Sequence, residues 1–383
     1  MSTTFAALGI DESICHVLAE RGITEAFAIQ EMTIPDILAG RDVCGKAKTG
    51  SGKTLAFGLP IVQLLRRASA GRPTALALVP TRELAVQVRD ELLPAAHALG
   101  VRMAAIYGGD PIDRQIKQLA DGVDFAVCTP GRVIDLIERG DLSVAEVEHV
   151  VIDEADRMAD MGFLPQVEWI LRNVEGEHQT LLFSATLDGV VDTLVRRYQH
   201  DPTRHEVAST GATVEHMDHL FLTVHEMDKA KVCAAIIDGA DRTIVFSATK
   251  HGADRLVRRL SDEGVRVKAI HGDLRQAARE KALSEFAAGK ISALVATDVA
   301  ARGIHVDDVD VVIHYDPPGE HKTYLHRSGR TARAGERGVV VSLVLWNQEL
   351  EVRRIQKRLG LDEPLVEVFS NDPRLADVAH WPG

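Results

Sequence analysis

Short apolar runs alternate with helical patterns along most of this 383-residue chain. The alternation occurs twice, once within residues 74–183 and again within residues 243–314. Continuous Val, Ile and Leu runs separated by helices are typical of parallel sheets covered on both faces. The sequence therefore predicts an α/β fold with two doubly wound parallel-sheet domains. The predicted strands are residues 74–79, 125–128, 147–152, 180–183, 243–246, 265–270, 293–296 and 309–314. One helix is predicted at residues 82–99, and another follows the strand at 243–246 and ends at residue 260.

A polar segment at residues 200–219, which contains Pro202 and Gly211, separates the two stretches of alternating pattern. At roughly 100–200 residues per domain, a chain of this length is expected to hold two domains. We predict a first domain at 1–207, a linker at 208–216, a second domain at 217–368 and a short acidic tail at 369–383.

Charge is distributed unevenly between these halves. The chain has 44 basic and 56 acidic residues, a net charge of −12. Residues 1–207 hold 20 basic and 30 acidic residues, which gives −10, and the rest of the chain holds 24 and 26, which gives −2. This balance argues against a protein that binds nucleic acid through a basic tail, but not against one that contacts it in a single groove.

Several other classes of protein are poorly supported. The longest apolar stretches, such as residues 339–346, are strand-sized and far below the ~20 residues of a membrane span. The start of the chain lacks the pattern of a secretory signal. The histidine pairs at 216 and 219 and at 321 and 326 are not completed to a zinc site by further ligands. The four cysteines are scattered along the chain, at Cys15, Cys44, Cys128 and Cys233, so a reducing, cytoplasmic location is expected.

The segment AKTGSGKT at residues 47–54 follows a short apolar run and precedes a helical pattern. Its glycines let backbone N–H groups face phosphate oxygens at a helix N-terminus. Lys53 is placed to reach the β- and γ-phosphates of a nucleotide, and Thr54 to hold Mg²⁺. The bland alternative is a Gly-rich turn before a helix. The expected nucleotide contacts are Ala47, where the strict pattern has Gly, Thr49, Gly50, Ser51, Gly52, Lys53 and Thr54.

Acidic residues follow the predicted strand at 147–152. Asp153, at the carboxyl end of that strand, is placed to bind Mg²⁺ beside a phosphate loop. Glu154 is placed to orient or deprotonate water. A solvated acidic helix start is the alternative, because Asp and Glu favour the first turn of a helix. The sequence thus predicts ATP and Mg²⁺ as cofactors.

With these two segments the chain resembles the DEAD-box RNA helicases, over about residues 5 to 345. The resemblance rests on many separate motifs that occur in the family's order. They are Phe5, Gln30, PTRELA at 80–85, GG at 108–109, TPGR at 129–132, SAT at 184–186, VFSATK at 245–250, HGD at 271–273 with Gln276 and Arg279, ATDVAARG at 296–303 and HRSGRTAR at 326–333.

The resemblance implies two RecA-like lobes, joined by a short linker, that close over ATP and single-stranded RNA. It implies that Gln30 reads adenine, that Arg330 and Arg333 act as arginine fingers, and that closure gates hydrolysis. A finger is worth about 10³–10⁵ in rate, roughly 4–7 kcal/mol of barrier. Further implied nucleotide contacts are Ile23, Gly303 and His305, and implied coupling residues are Asp156, Ser184, Thr186 and His326.

RNA contact is expected to go to the backbone, which carries no sequence information. Aromatic residues make up only 4% of the chain, so an open base-stacking platform is not expected. If a base-pair step costs ~1.4 kcal/mol, ten steps cost ~14, so one closure should open only a short duplex. The expected RNA contacts are Pro80, Thr81, Arg82, Gly109, Thr129, Pro130, Gly131, Arg132, Gln276, Arg279 and Thr297.

Other functions need the same or fewer motifs. An ATP-gated RNA clamp or scaffold that unwinds little would carry the same set. A P-loop ATPase or small-molecule kinase would lack the second, arginine-bearing half. Partners in RNP remodelling, ribosome assembly or RNA decay, and a monomeric state, are further expectations. The Glu/Arg-rich segment 349–359 is expected to be a solvated helix face rather than a partner-binding helix.

Substitutions at a few motif positions set this chain apart from the family pattern. Ile23 stands where the family has an aromatic residue, and Ala26 and Phe27 stand where it has Pro and Thr or Ser. His305 stands where it has Asp, which introduces a titration near neutral pH.

We expect Ile23→Phe to lower the Michaelis constant for ATP, because an aliphatic side chain can pack on a base but cannot stack on it as a ring does. Steady-state ATPase kinetics of the two proteins measure this. Equal Michaelis constants would contradict the expectation.

We also expect weak RNA affinity when nucleotide is absent, and a shallow dependence of that affinity on salt, because the chain carries little positive charge. Binding titrations across a salt series measure both. Tight RNA binding without nucleotide would contradict this interpretation of the charge distribution.

Overall fold

The computed structural model describes residues 3–47, 50–187, 189–207, 217–298, 309–331 and 338–381, with the side chains of residues 276, 277 and 322 excepted. The chain divides into two compact units, Met1–Ala208 and Ser209–Gly383.

The first unit is a seven-stranded parallel sheet with helices on both faces. The strand order is β3-β4-β2-β5-β6-β1-β7. The strands are β1 (Val43–Lys46), β2 (Ala75–Leu78), β3 (Met103–Ile106), β4 (Phe125–Cys128), β5 (His149–Asp153), β6 (Gln179–Ser184) and β7 (Thr203–Glu206). The helices are α1 (Glu12–Glu20), α2 (Ala28–Leu38), α3 (Lys53–Leu64), α4 (Arg82–Ala98), α5 (Ile112–Ala120), α6 (Pro130–Glu138), α7 (Ala155–Asp160), α8 (Leu164–Asn173) and α9 (Val190–Tyr198), after a 3₁₀ turn at Ala6–Leu8.

Both faces of this sheet are buried, which explains why its strands are continuously apolar. Ala75 and Ala77 of β2 pack with helices α1 to α4 on one face. Leu76 and Leu78 of the same strand pack with helices α5 to α9 on the other. Because successive side chains of a strand point to opposite faces, a strand covered on both faces, such as β2 or β4, is apolar at every position.

The second unit is built in the same way. Its strand order is β10-β11-β9-β12-β13-β8-β14. The strands are β8 (Met217–Thr223), β9 (Thr243–Phe246), β10 (Val267–Ile270), β11 (Ala293–Ala296), β12 (Val311–His314), β13 (Gly338–Val344) and β14 (Leu365–Glu367). The helices of the described part are α10 (Lys229–Asp238), α11 (Lys250–Asp262), α12 (Gln276–Ala287), α13 (His321–Ser328) and α14 (Glu349–Leu359), with 3₁₀ turns at Trp346–Gln348 and Pro373–His380.

The two sheets have the same topology, because adding seven to each strand number of the first order gives the second. The first strand of each unit therefore lies between the sixth and the seventh strand of that unit, and the loops that follow equivalent strands lie at equivalent places. The prediction of two doubly wound parallel-sheet domains is confirmed.

Most predicted strands match observed ones within two residues. Strands β1, β3, β7, β8, β13 and β14 were not among the predicted strands. Strand β7 is polar at every position and β8 mixes polar with apolar residues, whereas most of β13 lies within the strand-sized apolar stretch at 339–346. The predicted linker at 208–216 lies outside the described residues.

The end of the chain differs from the expected tail. Strand β14 pairs with β8 and completes the second sheet. The turn Pro373–His380 then buries Leu375 and Val378 against the same hydrophobic cluster as helix α10. The guanidinium of Arg374 lies 4.6 Å from the centre of the Trp381 ring. Residues 373–381 are therefore a packed part of the second unit, because their apolar side chains outweigh the acidic composition that suggested a tail.

Candidate nucleotide and nucleic-acid site

The carboxyl ends of three neighbouring strands bring the predicted nucleotide-binding residues together. Strand β6 pairs with β5 on one side and with β1 on the other. Asp153 ends β5, Ser184 ends β6, and the phosphate loop follows β1. The sequence spreads these residues over more than a hundred positions, and the parallel sheet places them side by side.

The phosphate loop is anchored at both ends. The Ala47 N–H donates to the Ser184 carbonyl at 3.0 Å, and the Lys53 Nζ donates to the Ala47 carbonyl at 2.8 Å. Lys53 is buried and begins α3. Gly50 and Gly52 both have the left-handed backbone that favours glycine, with φ of 83° and 86°. The arrangement directs a helix N-terminus and a lysine toward the position of a phosphate. Thr49 lies outside the described residues, and Ser51 and Thr54 are half-buried.

Asp153 is a buried carboxylate. Its Oδ1 accepts the N–H of Glu154 at 2.9 Å. The pKa of Asp153 is raised from 3.8 to about 7, chiefly by burial; Lys53 and the Glu154 N–H oppose this rise, and the charges of Glu154 and Asp156 contribute to it. A divalent cation would relieve the cost of holding this charge away from water. The Asp153 carboxylate and the Thr54 hydroxyl supply the oxygen ligands that Mg²⁺ prefers, so the residues present fit this ion.

Glu154 has an uncommon backbone for a residue that is not glycine, with φ of 52°. It precedes α7, and its carboxylate accepts a hydrogen bond from Arg157 one turn later. The side chain is almost fully buried next to Asp153. Backbone strain of this kind clusters at functional sites, and here it fixes where the second carboxylate points.

Two predicted coupling residues are in contact. The buried Ser184 Oγ accepts the N–H of Asp156 at 3.2 Å. Because Ser184 also holds the phosphate loop through its carbonyl, one residue joins β6 to both the loop and the acidic segment. Thr186, two residues on, lines an open cleft of about 550 Å³ with Lys46, Leu187, Arg204, His205 and Glu206.

Gln30 ties the start of α2 to the phosphate loop. Its Oε1 accepts the N–H of Phe27 at 2.7 Å, and its Nε2 donates to the Gly52 carbonyl at 2.9 Å. Ile23 is half-buried and packs against the first core cluster. Phe27, by contrast, is 59% exposed, and a Cβ added to Gly52 would lie 2.7 Å from its ring. The aromatic ring beside the phosphate loop is therefore that of Phe27. No motif spacing in the sequence indicates this contact.

The predicted RNA contacts of the first unit follow the other three neighbouring strands, β2, β4 and β3. The Arg82 guanidinium lies against Gly109, where an added Cβ would be 2.0 Å from it. Arg132 donates to the Asp110 carbonyl at 3.2 Å. The structure thus brings the segments 80–82, 108–110 and 129–132 together at one edge. Thr81 caps α4, Thr129 and Pro130 begin α6, and Gly131 is exposed.

In the second unit, the segments that follow β9 and β12 are joined by Asp316. Its Oδ2 accepts the Ser247 hydroxyl at 3.0 Å and the Ala248 N–H at 2.8 Å, and its Oδ1 lies 3.8 Å from the buried Lys229 Nζ. Burial lowers the pKa of Lys229, and Asp316 opposes that shift. Thr297, a predicted RNA contact, directly follows β11 at the same edge of the sheet and is buried.

Helix α13 carries the predicted arginine segment, and a residue that sequence reasoning missed anchors it. The buried Arg327 makes a two-pronged ion pair with Asp298, at 2.6 and 2.9 Å, and donates to the Asp316 carbonyl at 2.6 Å. Its neighbours differ, since His326 is exposed and Arg330 is half-buried. The motif contains both kinds of side chain, and only the fold distinguishes the anchor from the accessible ones.

Tyr324 is the other missed anchor of α13. Its hydroxyl lies 2.7 Å from His219 Nδ1, and its ring meets the ring of His314 edge-on with centres 4.6 Å apart. Ser328 donates to the Tyr324 carbonyl at 2.8 Å inside the helix. The predicted site residues Gly303, His305 and Arg333 lie outside the described residues. Arg279 is half-buried on α12, and the Gln276 side chain is not described.

Within the described ranges, no three His, Cys, Asp or Glu side chains are grouped as a metal site would need. No helix there is long and apolar enough to cross a membrane.

These features define a class of protein: two RecA-like units, of which the first carries a phosphate loop and the second a helix with accessible basic residues. Residues 27–194 match the DEAD/DEAH box helicase family, and residues 228–335 match the helicase conserved C-terminal domain.

Similar sequences bear the same family name. The chain is 43% identical over 344 residues to the ATP-dependent RNA helicase CshA of Listeria monocytogenes and 41% identical over 357 residues to the DEAD-box ATP-dependent RNA helicase CshA of Geobacillus kaustophilus. These matches cover 89% and 93% of this chain, and 66% and 76% of those proteins. The chain belongs to the DEAD-box helicase family and spans about two thirds of the length of the Listeria relative.

Solved structures agree. The yeast protein Dbp5 bound to RNA and ADP BeF3 is 28% identical, with a TM-score of 0.83 and 98% of each chain covered. A DEAD box protein from Methanococcus jannaschii is 33% identical, with a TM-score of 0.53 and 96% of this chain covered.

We expect Asp153→Asn to raise the melting temperature of the nucleotide-free protein at pH 8, and to raise it less at pH 5. The folded-state pKa of about 7 exceeds the unfolded value of 3.8. The wild-type protein therefore loses stability as pH rises between these values, while Asn stays neutral. Thermal unfolding in EDTA measures this. Asp160→Asn, at the exposed end of helix α7, which follows β5, is the control. An equal gain at both pH values would contradict the expectation.

Proposed function

We propose that this chain is an ATP-dependent RNA helicase whose RNA-stimulated ATP hydrolysis is coupled to closure of its two units. The observation that carries the proposal is the division of one sheet edge in the first unit. Strands β1, β6 and β5 end in the phosphate loop, Ser184 and the acidic pair. The adjoining strands β2, β4 and β3 end in the donor-rich segments 80–82, 129–132 and 108–110.

Phosphoryl transfer to water needs positioning and charge neutralisation more than covalent help. Lys53, held over the loop by its bond to the Ala47 carbonyl, contacts the terminal phosphates. Thr54 and Asp153 hold Mg²⁺, which when bound neutralises phosphate charge. Glu154, with its strained backbone and its Arg157 partner, orients the attacking water and accepts a proton from it. Arg157 is therefore a positioning residue.

The second unit supplies the missing positive charge. Arg330 and Arg333 would reach the γ-phosphate as arginine fingers when the units close, which is worth about 10³–10⁵ in rate. Arg327 stays buried in its pair with Asp298 and keeps α13 in place. Without closure the first unit lacks this stabilisation, so hydrolysis is slow until RNA favours the closed state. Gly303 and His305 would complete the nucleotide contacts.

RNA enters as a backbone ligand of both units. Hydroxyl, guanidinium and N–H donors at the two sheet edges suit phosphates and 2′-hydroxyls, without base readout. The Ser184–Asp156 bond and Thr186, together with His326 of the second unit, would carry the state of the nucleotide to this strip. Partners in RNP remodelling, ribosome assembly or RNA decay, a monomeric state and a cytoplasmic location complete the proposal.

We expect generic RNA to stimulate ATPase activity of the whole chain, and Glu154→Gln to reduce the stimulated rate at least 10²-fold, since proton transfer by a positioned group contributes about 10²–10⁴. The matched control is Glu177→Gln, at an exposed loop position away from the site. ATP hydrolysis with and without RNA measures this. RNA-independent hydrolysis, or an active Glu154→Gln protein, would contradict the proposal.

Unwinding of a labelled short duplex separates the helicase from an ATP-gated clamp. A helicase separates the strands with ATP present. RNA-stimulated hydrolysis without strand separation would indicate the clamp.

A further inference from the structure

Helix α14 presents a basic face to solvent that the ATP-driven cycle does not use. The surface comprises the exposed cations of the helix, an exposed leucine at its start and an exposed tryptophan in the 3₁₀ turn before it. We call it the α14 face. Its residues are Trp346, Leu350, Arg353, Arg354, Lys357 and Arg358.

Helical spacing puts these side chains on one side. Trp346, Leu350, Arg354 and Arg358 follow each other at intervals of four, and Lys357 lies one turn after Arg353. Trp346 is 80% exposed and Leu350 is 66% exposed. The opposite side of the helix is buried in the core through Val352 and Ile355. Because the opposite side of the helix is packed in the core, the apolar and basic residues of the α14 face point toward solvent.

Among the residues that the structure describes, the cations of the α14 face have no carboxylate partner. No Asp or Glu oxygen there lies within 4.0 Å of the four charged groups, although Glu349 and Glu351 are on the same helix. Elsewhere on the second unit, cations such as Lys250 and Lys268 do pair with acids. With four cations and two acids, residues 349–359 carry +2 in a chain of −12.

The α14 face lies on the helical layer that also carries predicted RNA contacts. Val352 and Ile355 belong to the same hydrophobic cluster as Phe286 of α12 and Tyr324 of α13. Arg279 is on α12 and His326 is on α13. Helices α10 and α11 pack on the opposite face of the sheet, through a different cluster.

We propose that the α14 face is an RNA-docking surface, which holds RNA that extends beyond the strand bound at the sheet edges. The four cations, which pair with no carboxylate in the described part of the chain, lie within about 8 Å along the helix axis, and such a concentration of positive charge on one face attracts a phosphate backbone. An exposed tryptophan beside them can stack on an unpaired base, which an acidic protein partner would not need. The contact is sequence-independent and does not require nucleotide, so it goes beyond the ATPase cycle and supplies most of the weak, weakly salt-dependent RNA affinity expected without nucleotide.

Two variants with matched charge loss test the proposal in the whole chain. The test variant is Arg353→Gln, Arg354→Gln and Lys357→Gln combined. The control is Lys231→Gln, Arg255→Gln and Arg258→Gln combined, at exposed positions of α10 and α11. Binding of a labelled 40-nucleotide single-stranded RNA is titrated over a salt series without nucleotide. We expect the slope of log affinity against log salt to fall by about 2 in the test variant, at roughly 0.7 per phosphate contact, and to stay unchanged in the control.

Trp346 gives an independent readout. We expect RNA to quench the fluorescence of the wild-type protein, and Trp346→Phe to lose most of that change while Trp169 and Trp381 remain. Trp346→Ala should weaken binding about tenfold, and Trp346→Phe less, because a ring remains for stacking.

Equal salt slopes in the test variant and the wild type would overturn the proposal. So would polyglutamate competing as well as RNA of equal charge, which would indicate an acidic protein as the partner. ATPase stimulation by a 10-nucleotide RNA separates this result from the proposed function. The test variant should keep it, and its absence from the wild-type protein would count against the helicase proposal alone.

Discussion

In a parallel sheet every strand ends at the same edge, and both units of this protein depend on that constraint. Loops that are far apart in the sequence must meet there, and helix N-termini face the same side. In the first unit this edge holds an anchored phosphate loop, a buried carboxylate and a cluster of hydrogen-bond donors that we propose contact the RNA backbone. The hydrogen bonds of Ser184 to both the loop and the acidic segment exist only because β6 lies between β1 and β5.

The cost of this arrangement is concentrated in the acidic segment. Asp153 is buried beside two other acids, and Glu154 adopts a backbone that few residues tolerate. A core free of function would place apolar residues there. The strained geometry is maintained by buried strands on either side, which shows how a rigid sheet supports an unfavourable group.

Sequence reasoning predicted the fold and the residues of the nucleotide site to a large extent. Strands such as β4 are continuously apolar because both faces are covered, so their pattern is unambiguous. The phosphate loop and Asp153 follow strands at recognisable spacings. Other features depend on contacts between distant segments. Nothing in the spacing indicates that Phe27 lies against Gly52, that Arg327 is an anchor while Arg330 is accessible, or that Leu375 is buried at the end of the chain. The net charge of the chain also says little about the charge of a local surface, because the cations of α14 are outnumbered by acidic residues elsewhere in the chain.

The identical strand order of the two sheets has a consequence for how this enzyme is constructed. Lys229 begins the helix after the first strand of the second unit, as Lys53 does in the first, and Asp316 follows β12 as Asp153 ends β5. The loop before Lys229, residues 224–228, contains no glycine, so its backbone cannot wrap a phosphate. The second unit thus keeps a lysine and an aspartate at the positions of a nucleotide pocket and uses them to brace its own interior. The protein thus contains two units of the same topology, of which the first has the pocket and the second has only its framework.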